Sequence, residues 1–316
     1  MNRLARFAWA VLAYNVAVVL WGSVVRATGS GAGCGNHWPL CNGYVVPRAP
    51  ALVTVIEFSH RLTSGLALLL VVALLVAVFR ARPARHPARR AAAWSLGFVV
   101  AEALIGAGLV LLKLVANDSS PARGFYMVTH LVNTFLLLAA LTLTAHYAGG
   151  ALQARWAGRS RETALLGLGL VAVLAVSASG AIAALGDTLF PSQSLEEALR
   201  ADLSAAAHFL IRLRLLHPFV ALVTAAYLVF LSSLLRRGTS QVLARGLAGL
   251  ALAQTALGGL NVLLLAPVVM QVAHLLLADL VWIVLVLFAA RVLENAAVAA
   301  PQPVAEPDRA LPIGAR

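Results

Sequence analysis

The sequence predicts an all-α integral membrane protein, with eight transmembrane helices arranged as two parallel-repeat four-helix bundles. Its 316 residues are 61% hydrophobic and only 11% charged, whereas soluble domains carry about 25% charged residues. Eight apolar runs are each long enough to cross a bilayer, which takes about 20 residues. Similar motifs also recur about half a chain length apart, which indicates an internal repeat.

The apolar runs occupy most of the chain. The first run follows Arg3 and Arg6, and it is longer than the hydrophobic region of a cleavable signal peptide, so we expect it to be retained. After the last run, residues 295–316 are rich in Ala and Pro and are predicted to be disordered. The predicted spans are residues 7–25, 54–79, 91–114, 125–148, 163–186, 210–235, 242–266 and 268–290.

Arginines in the short connections predict the orientation. The net charge is +12, but the basic residues cluster between apolar runs, a pattern typical of membrane orientation and not of nucleic-acid binding. Because cytoplasmic loops carry the excess of Lys and Arg, we expect both termini in the cytoplasm and the chain in the cytoplasmic membrane. The clusters are Arg3 and Arg6; Arg80, Arg82, Arg85, Arg89 and Arg90; Arg155, Arg159 and Arg161; and Arg236, Arg237 and Arg245.

Two long segments fall on the predicted outer side. Residues 27–52 are rich in glycine and contain Cys34 and Cys41. Two cysteines exclude a disulfide-stapled fold, but they leave open either one bridge or two free thiols. Residues 187–209 contain Ser194-Leu-Glu-Glu197, a capping-box pattern followed by leucines at a spacing of four. This pattern predicts a short helix along the outer surface.

Matching residues in the two parts of the chain indicate the repeat. Residues 1–150 form the predicted first half and residues 151–294 the second, and four helices separate the copies, so both halves have the same orientation. The matching residues are Gly22 with Gly180, Glu102 with Gln254, Gly106 with Gly258, His60 with His217 and His130 with His274.

Four histidines each open an even-numbered helix, so all four are predicted at one depth near the outer face: His60, His130, His217 and His274. A lone histidine in a membrane helix is usually a hydrogen-bonded packing residue, but four at matching positions of a repeat predict metal or haem ligation. Zinc requires three or four close ligands. Two histidines in each half suit an axial pair on a haem iron better.

Other residues near these histidines are weaker candidates. His208 belongs to the outer segment and is the alternative ligand should His217, which precedes Pro218, be misaligned. Arg61, Arg212 and Arg214 are candidates for binding haem propionates, because guanidinium groups pair with carboxylates in bidentate geometry. For Arg212 and Arg214, the equally weighted alternative is that they are solvated interfacial arginines.

The stretch from Ile56 to Arg61 places ionisable residues at the start of the second apolar run. Glu57 and His60 are three residues apart and therefore share a helix face. A charged side chain at mid-membrane costs roughly 3 kcal/mol, so intramembrane ionisable residues are functional candidates. The alternative is an interfacial ion pair between Glu57 and Arg61.

Taken together, these motifs resemble the haem A synthase family of bacterial and mitochondrial inner membranes. The resemblance covers about residues 10–290. It rests on Gly22-Ser-Val-Val-Arg26-Ala-Thr28-Gly29-Ser-Gly31, Cys34, Trp38-Pro39-Leu40-Cys41, Glu57-x-x-His60-Arg61, His130, His217 and His274. Pro218 departs from the first-half pattern, because Arg61 follows His60 at the matching place.

The resemblance implies oxidation of the C8 methyl group of haem O to a formyl group, which yields haem A for cytochrome oxidase. It implies a b-type haem between His217 and His274 as cofactor, the substrate haem between His60 and His130, and Glu57 as the catalytic residue. It also implies a Cys34–Cys41 disulfide. The implied partners are haem O, haem O synthase as the preceding enzyme, an electron donor and the lipid bilayer, and homo-oligomerisation is left open.

Two other functions use the same histidines. A cytochrome-b-type electron carrier binds two permanent haems and has no need of Glu57. A haem-binding assembly factor of the oxidase leaves the ring chemistry unchanged. Haem O synthase itself is disfavoured, because a prenyltransferase requires paired aspartates for diphosphate and metal, and the chain has no such cluster.

Overall fold

A computed structural model describes residues 1–151, 160–236 and 238–298. Within these residues the chain forms ten α-helices and no strand beyond an isolated bridge between Cys41 and Tyr44. The helices are α1 Arg3–Ala27, α2 Leu52–Ala81, α3 Pro87–Leu111, α4 Pro121–Ala148, α5 Ser160–Leu189, α6 Leu195–Leu203, α7 Phe209–Arg214, α8 Leu216–Leu235, α9 Gln241–Leu263 and α10 Val268–Val298.

Eight stretches of the described chain are long and apolar enough to span a membrane, and each coincides with a predicted run. The all-α class and the eight spans are therefore confirmed. Helix α10 continues to Val298, so it includes the first residues of the predicted tail. The rest of that tail lies outside the described residues, as do Arg155, Arg159 and Arg237 of the predicted cytoplasmic clusters.

The sixth span is broken into α7 and α8, a feature that the sequence analysis did not anticipate. The break falls at Leu215, three residues before Pro218. Proline lacks an N–H group, and its ring clashes with the carbonyl of the residue four positions earlier, here Arg214. Helix α8 therefore restarts at Leu216, which places His217 in its first turn.

The spans close into two rings of four helices. In the first ring, α1 packs against α2 and α4, and α3 packs against α2 and α4. In the second ring, α5 and α9 each pack against α8 and α10. Helices α1, α4, α5 and α10 form the contact between the rings. That the rings are copies related by a parallel repeat stays a prediction.

Within the described ranges, polar contacts link the two rings of helices at different positions along α4 and α10. The indole of Trp282 on α10 donates a hydrogen bond to the carbonyl of Phe135 on α4, at 2.6 Å. His146 on α4 lies 2.6 Å from the buried carboxylate of Glu294 on α10. A further contact, made by Arg26, lies close to the predicted histidine sites and is described with them.

The predicted surface helix is present as α6. The hydroxyl of Ser194 accepts a hydrogen bond from the Glu197 N–H group at 3.2 Å, and the Glu197 carboxylate accepts one from the Gln193 N–H group at 2.8 Å. These bonds satisfy N–H groups that have no partner within the helix. The segment that carries α6 leads directly into α7 and the second-half histidine site.

Candidate functional site

Each of the four predicted histidines packs against a glycine of the preceding span. A Cβ atom added to three of these glycines would approach the ring closely, so only glycine lets the histidine sit against the neighbouring helix. The distances to the imidazole carbon Cε1 are 2.9 Å for Gly22 and His60, 3.0 Å for Gly180 and His217, and 2.9 Å for Gly258 and His274. At Gly106 the nearest ring atom, Nε2 of His130, is 4.0 Å away.

The second ring of helices brings its two predicted histidines close together. The ring centroids of His217 on α8 and His274 on α10 are 6.3 Å apart, and the ring planes are perpendicular. Two imidazoles that ligate one metal ion from opposite sides, with metal–nitrogen distances of about 2 Å, have centroids about 6 Å apart. The spacing therefore fits an axial pair on one metal ion.

Polar neighbours orient both rings of this pair. The Ser179 hydroxyl lies 3.1 Å from Nδ1 of His217, which leaves Nε2 of that ring for a metal. The Gln254 amide nitrogen lies 3.3 Å from Nε2 of His274. Both rings are only partly buried, so a bound group can reach them.

In the first ring, His60 on α2 and His130 on α4 occupy the corresponding helices. Nδ1 of His130 lies 3.1 Å from the carboxylate of Glu102 on α3, and the His130 side chain keeps 27% of its exposure. Nδ1 of His60 has no hydrogen-bond partner within the described part of the chain. Two accessible imidazoles beside helices α1 and α3 are a suitable donor set for a second haem iron.

Glu57 faces the cysteine loop, which is residues 28–51 between α1 and α2. One carboxylate oxygen accepts a hydrogen bond from the Cys34 N–H group at 2.7 Å, and the other accepts from Arg61 at 2.5 and 3.1 Å. Arg61 also donates to the carbonyls of His37 and Leu40, at 2.6 and 2.7 Å. Glu57 is 3% exposed, and it shares its helix with His60, one turn away.

The two cysteines form a disulfide, Cys34–Cys41. The alternative of two free thiols is therefore wrong. The bridge closes the cysteine loop next to the Glu57 and Arg61 pair, and hydrogen bonds join that pair to the loop.

A family model described as "Cytochrome oxidase assembly protein" (COX15-CtaA) matches residues 5–286. The chain belongs to this family. The match covers both rings and all four histidines, and it agrees with the resemblance that the motifs indicate.

Relatives of this chain include proteins with two different names. Two strains of Thermus thermophilus each have a protein named "Protoheme IX farnesyltransferase" that is 50% identical to this chain over 300 residues. These matches cover 94% of this chain and 49% of each relative, so the chain spans about half the length of the curated relatives it matches. "Heme A synthase" of Bacillus mycoides is 41% identical over 112 residues, 35% of this chain and 36% of that protein. "Heme A synthase" of one Bacillus cereus strain is 46% identical over 94 residues, 30% of each chain.

Of the three predicted propionate ligands, two are already paired with carboxylates and one is exposed. Arg214 donates to the carboxylate of Asp202 and lies 3.2 Å from that of Asp187. Arg61 is held by Glu57 and by the loop, whereas Arg212 is exposed. A role in binding propionates stays a prediction for all three.

His208 lies outside both rings. Its Nδ1 accepts a hydrogen bond from the Leu210 N–H group and so caps α7, while its ring packs between those of Phe190 and Phe209. Because His217 already lies 6.3 Å from His274 between ring centroids, the geometry does not require His208 as an alternative ligand.

Three charged residues within the two rings of helices were not predicted from the sequence as site residues. Arg26 on α1 donates to the Ala184 carbonyl, the Thr188 hydroxyl and the Gln271 side chain, at 2.6–2.7 Å, and so ties the first ring to the second. Glu102 contacts His130. Asp279 on α10 is fully buried, and neither carboxylate oxygen has a hydrogen-bond partner among the described residues. The available signal was a lone charge within an apolar run.

Proposed function

We propose that this protein is a haem A synthase, which oxidises the C8 methyl group of substrate haem O to a formyl group. The observation that carries the proposal is the spacing of His217 and His274, which suits a bis-histidine haem, beside a second histidine pair in the other ring. Family membership and the similarity to proteins named "Heme A synthase" support the same activity.

In this proposal His217 and His274 hold a b-type haem, and His60 and His130 hold the substrate. When bound, the b-type haem supplies one-electron redox chemistry, which an oxidation of the substrate methyl requires. The closely approaching glycines hold the imidazoles against the neighbouring helices, and the contact of Ser179 with Nδ1 leaves Nε2 of His217 free.

Glu57 is the proposed acid–base residue of the reaction. It lies one helical turn from His60, and a methyl oxidation releases protons that a carboxylate can accept. Its hydrogen bonds to Cys34 and Arg61 hold the carboxylate in one position. In this arrangement the cysteine loop positions the carboxylate beside the substrate ring.

A cytochrome-b-type electron carrier is the second candidate function. The observation in its favour is that both oxygens of Glu57 are already engaged, so that the residue has a structural role that requires no chemistry. An electron carrier retains one haem in each ring of helices and alters neither haem chemically.

The farnesyltransferase name belongs to relatives about twice as long as this chain. We infer that prenyl transfer resides in the part of those proteins that this chain does not match. Among the described residues, the two aspartates that approach one another, Asp187 and Asp202, are both paired with Arg214 and are not free to hold a metal–diphosphate group.

The deciding experiment is to extract the haems from bacterial cells that make haem O, with and without this protein, and to separate them by chromatography. We expect haem A only when the protein is present, and none from a His60→Leu, His130→Leu double variant that keeps its second-ring absorption. Retention of two unmodified haems per chain would support the electron carrier. Appearance of haem O in cells that lack a haem O synthase would instead assign prenyl transfer to this chain.

A further inference from the structure

Glu102 is the single ionisable residue of the apolar stretch 91–112. A charged group in this setting carries a free-energy cost of roughly 3 kcal/mol at the bilayer centre, so its retention calls for compensating contacts. Its carboxylate accepts hydrogen bonds from the Asn133 amide, at 2.6 Å, and from the Thr134 hydroxyl. The third neighbour is Nδ1 of His130, at 3.1 Å. All three partners lie on α4.

The second ring has an amide where the first ring has this carboxylate. Gln254 precedes Gly258 by four residues, as Glu102 precedes Gly106, and each pair faces the histidine of the next helix. The Gln254 amide nitrogen is 3.3 Å from Nε2 of His274, whereas the Glu102 carboxylate lies at Nδ1 of His130, so the two residues correspond in position and differ in charge and in the ring nitrogen they approach. The two rings therefore place a charged group beside one histidine and a neutral group beside the other.

We propose that Glu102 is a positioning residue that makes the two haem sites unequal. Its carboxylate lies 3.1 Å from Nδ1 of His130, so its negative charge favours the tautomer that carries the proton on Nδ1, leaves Nε2 for iron and makes that nitrogen a stronger electron donor. A stronger axial donor stabilises the oxidised iron and lowers its reduction potential. The neutral Gln254 gives His274 no such assistance. This inference rests on the proposed function, because it requires haem at His130.

A difference in reduction potential between the two sites sets the direction of electron transfer between them. The site with the lower potential would give electrons to the other, so the electrons that leave the methyl group as water converts it to a formyl group would pass one at a time from the first ring to the second. An external one-electron acceptor would then take them from the second-ring haem, in place of the electron donor that the resemblance implies. A carrier with two equivalent haems has no need of this direction.

The rival explanation is that Glu102 only clamps α3 to α4 through Asn133 and Thr134. Asn133 also donates to the Phe98 carbonyl at 2.9 Å, so part of that clamp persists without the carboxylate. A clamp affects stability, whereas an effect through His130 changes the electronic properties of the bound iron. Reduction potential is therefore the measurement that separates the two explanations.

The test uses full-length purified protein titrated with haemin, iron protoporphyrin IX, as the probe for both rings. We compare wild type, Glu102→Gln, Gln254→Glu and the control Thr134→Val, which removes one clamp contact and a hydroxyl contact with the His130 backbone carbonyl but has no hydrogen bond to the His130 imidazole. Haemin uptake and the midpoint potentials are followed optically.

We expect Glu102→Gln to raise the lower midpoint potential and to weaken haemin binding in the first ring by about 10–100-fold, the usual effect of removing such a partner. Gln254→Glu should lower the other midpoint potential, and Thr134→Val should change neither. Unchanged potentials in both swapped variants overturn the inference and leave the clamp. If Glu102→Gln does not fold, Gln254→Glu alone decides by the same criterion. Uptake of one haemin by the wild type overturns the two-haem function as well, which distinguishes the two failures.

Discussion

Glu57 lies at the junction of α2 and the cysteine loop, where its carboxylate accepts hydrogen bonds from both. Its burial contrasts with Glu102, which keeps 21% side-chain exposure beside His130. Burial with a fixed set of donors suits a positioned acid–base group and also suits a structural ion pair. The two roles predict different effects when Glu57 is replaced by glutamine, its neutral isostere.

Glu57→Gln keeps the shape of the side chain and removes its ability to take up a proton. We expect the variant to insert and to keep its second-ring haem, but to accumulate haem O, with the rate of haem A formation reduced by about 10²–10⁴-fold. The measurement is chromatography of haems extracted from cells that make haem O.

Arg61→Gln is the control for this change, because it breaks the same ion pair and leaves the carboxylate in place. If both variants lose haem A equally, the pair serves to hold the cysteine loop. Wild-type yields from Glu57→Gln contradict any acid–base role.

At the scale of elements, the site depends on how closely neighbouring helices approach. Helices α9 and α10 meet where Gly258 faces the His274 ring, and the next residue, Gly259, faces open space. Two adjacent glycines of one helix thus differ in a single respect, which is the contact that an added methyl group would make.

Gly258→Ala should displace His274, because its Cβ would lie 2.9 Å from Cε1. Carbon atoms pack best at about 3.5–4.0 Å, and overpacking of this kind costs about 1–3 kcal/mol. We expect reduced b-type absorption per mole of purified protein. Gly259→Ala should keep full absorption and slightly stabilise the helix. Equal haem content in the two variants would show that the close approach is not needed.

At the scale of the whole molecule, the ring contacts join two halves through α1, α4, α5 and α10. Arg26 makes one of these connections near both histidine pairs, since Gly22 precedes it by one turn and its partner Gln271 precedes His274 by three residues. The connection places the two proposed haem sites at the same end of the bundle, with a polar contact between them.

The arginine clusters predict that this end faces away from the cytoplasm. In a background with both cysteines changed to Ser, Ala205→Cys should react with a membrane-impermeant maleimide in intact spheroplasts. Arg85→Cys, which is exposed at the opposite end, should react only after the membrane is opened. The reverse labelling pattern would invert the orientation and place the histidine sites near the cytoplasm.

The sequence by itself determined the membrane class, the eight spans, the surface helix and the place of four histidines near the start of even-numbered spans. These features depend on composition and on short-range spacing. Charge and hydropathy report where a chain enters and leaves a bilayer, because the cost of an apolar or charged residue is set by depth. The break before Pro218 was also available in principle, since proline acts on its own helix.

Only the tertiary structure decided which groups meet. The contacts of Glu57 with Cys34, Arg214 with Asp187, Glu102 with His130 and Arg26 with Gln271 join residues on different elements. These contacts depend on the rotation of each helix about its axis. In a membrane protein the lipid-facing and the buried surfaces are both apolar, as with exposed Leu69 and buried Leu74 of α2. Hydropathy therefore does not reveal the rotation, and packing of small residues and polar side chains between the helices sets it.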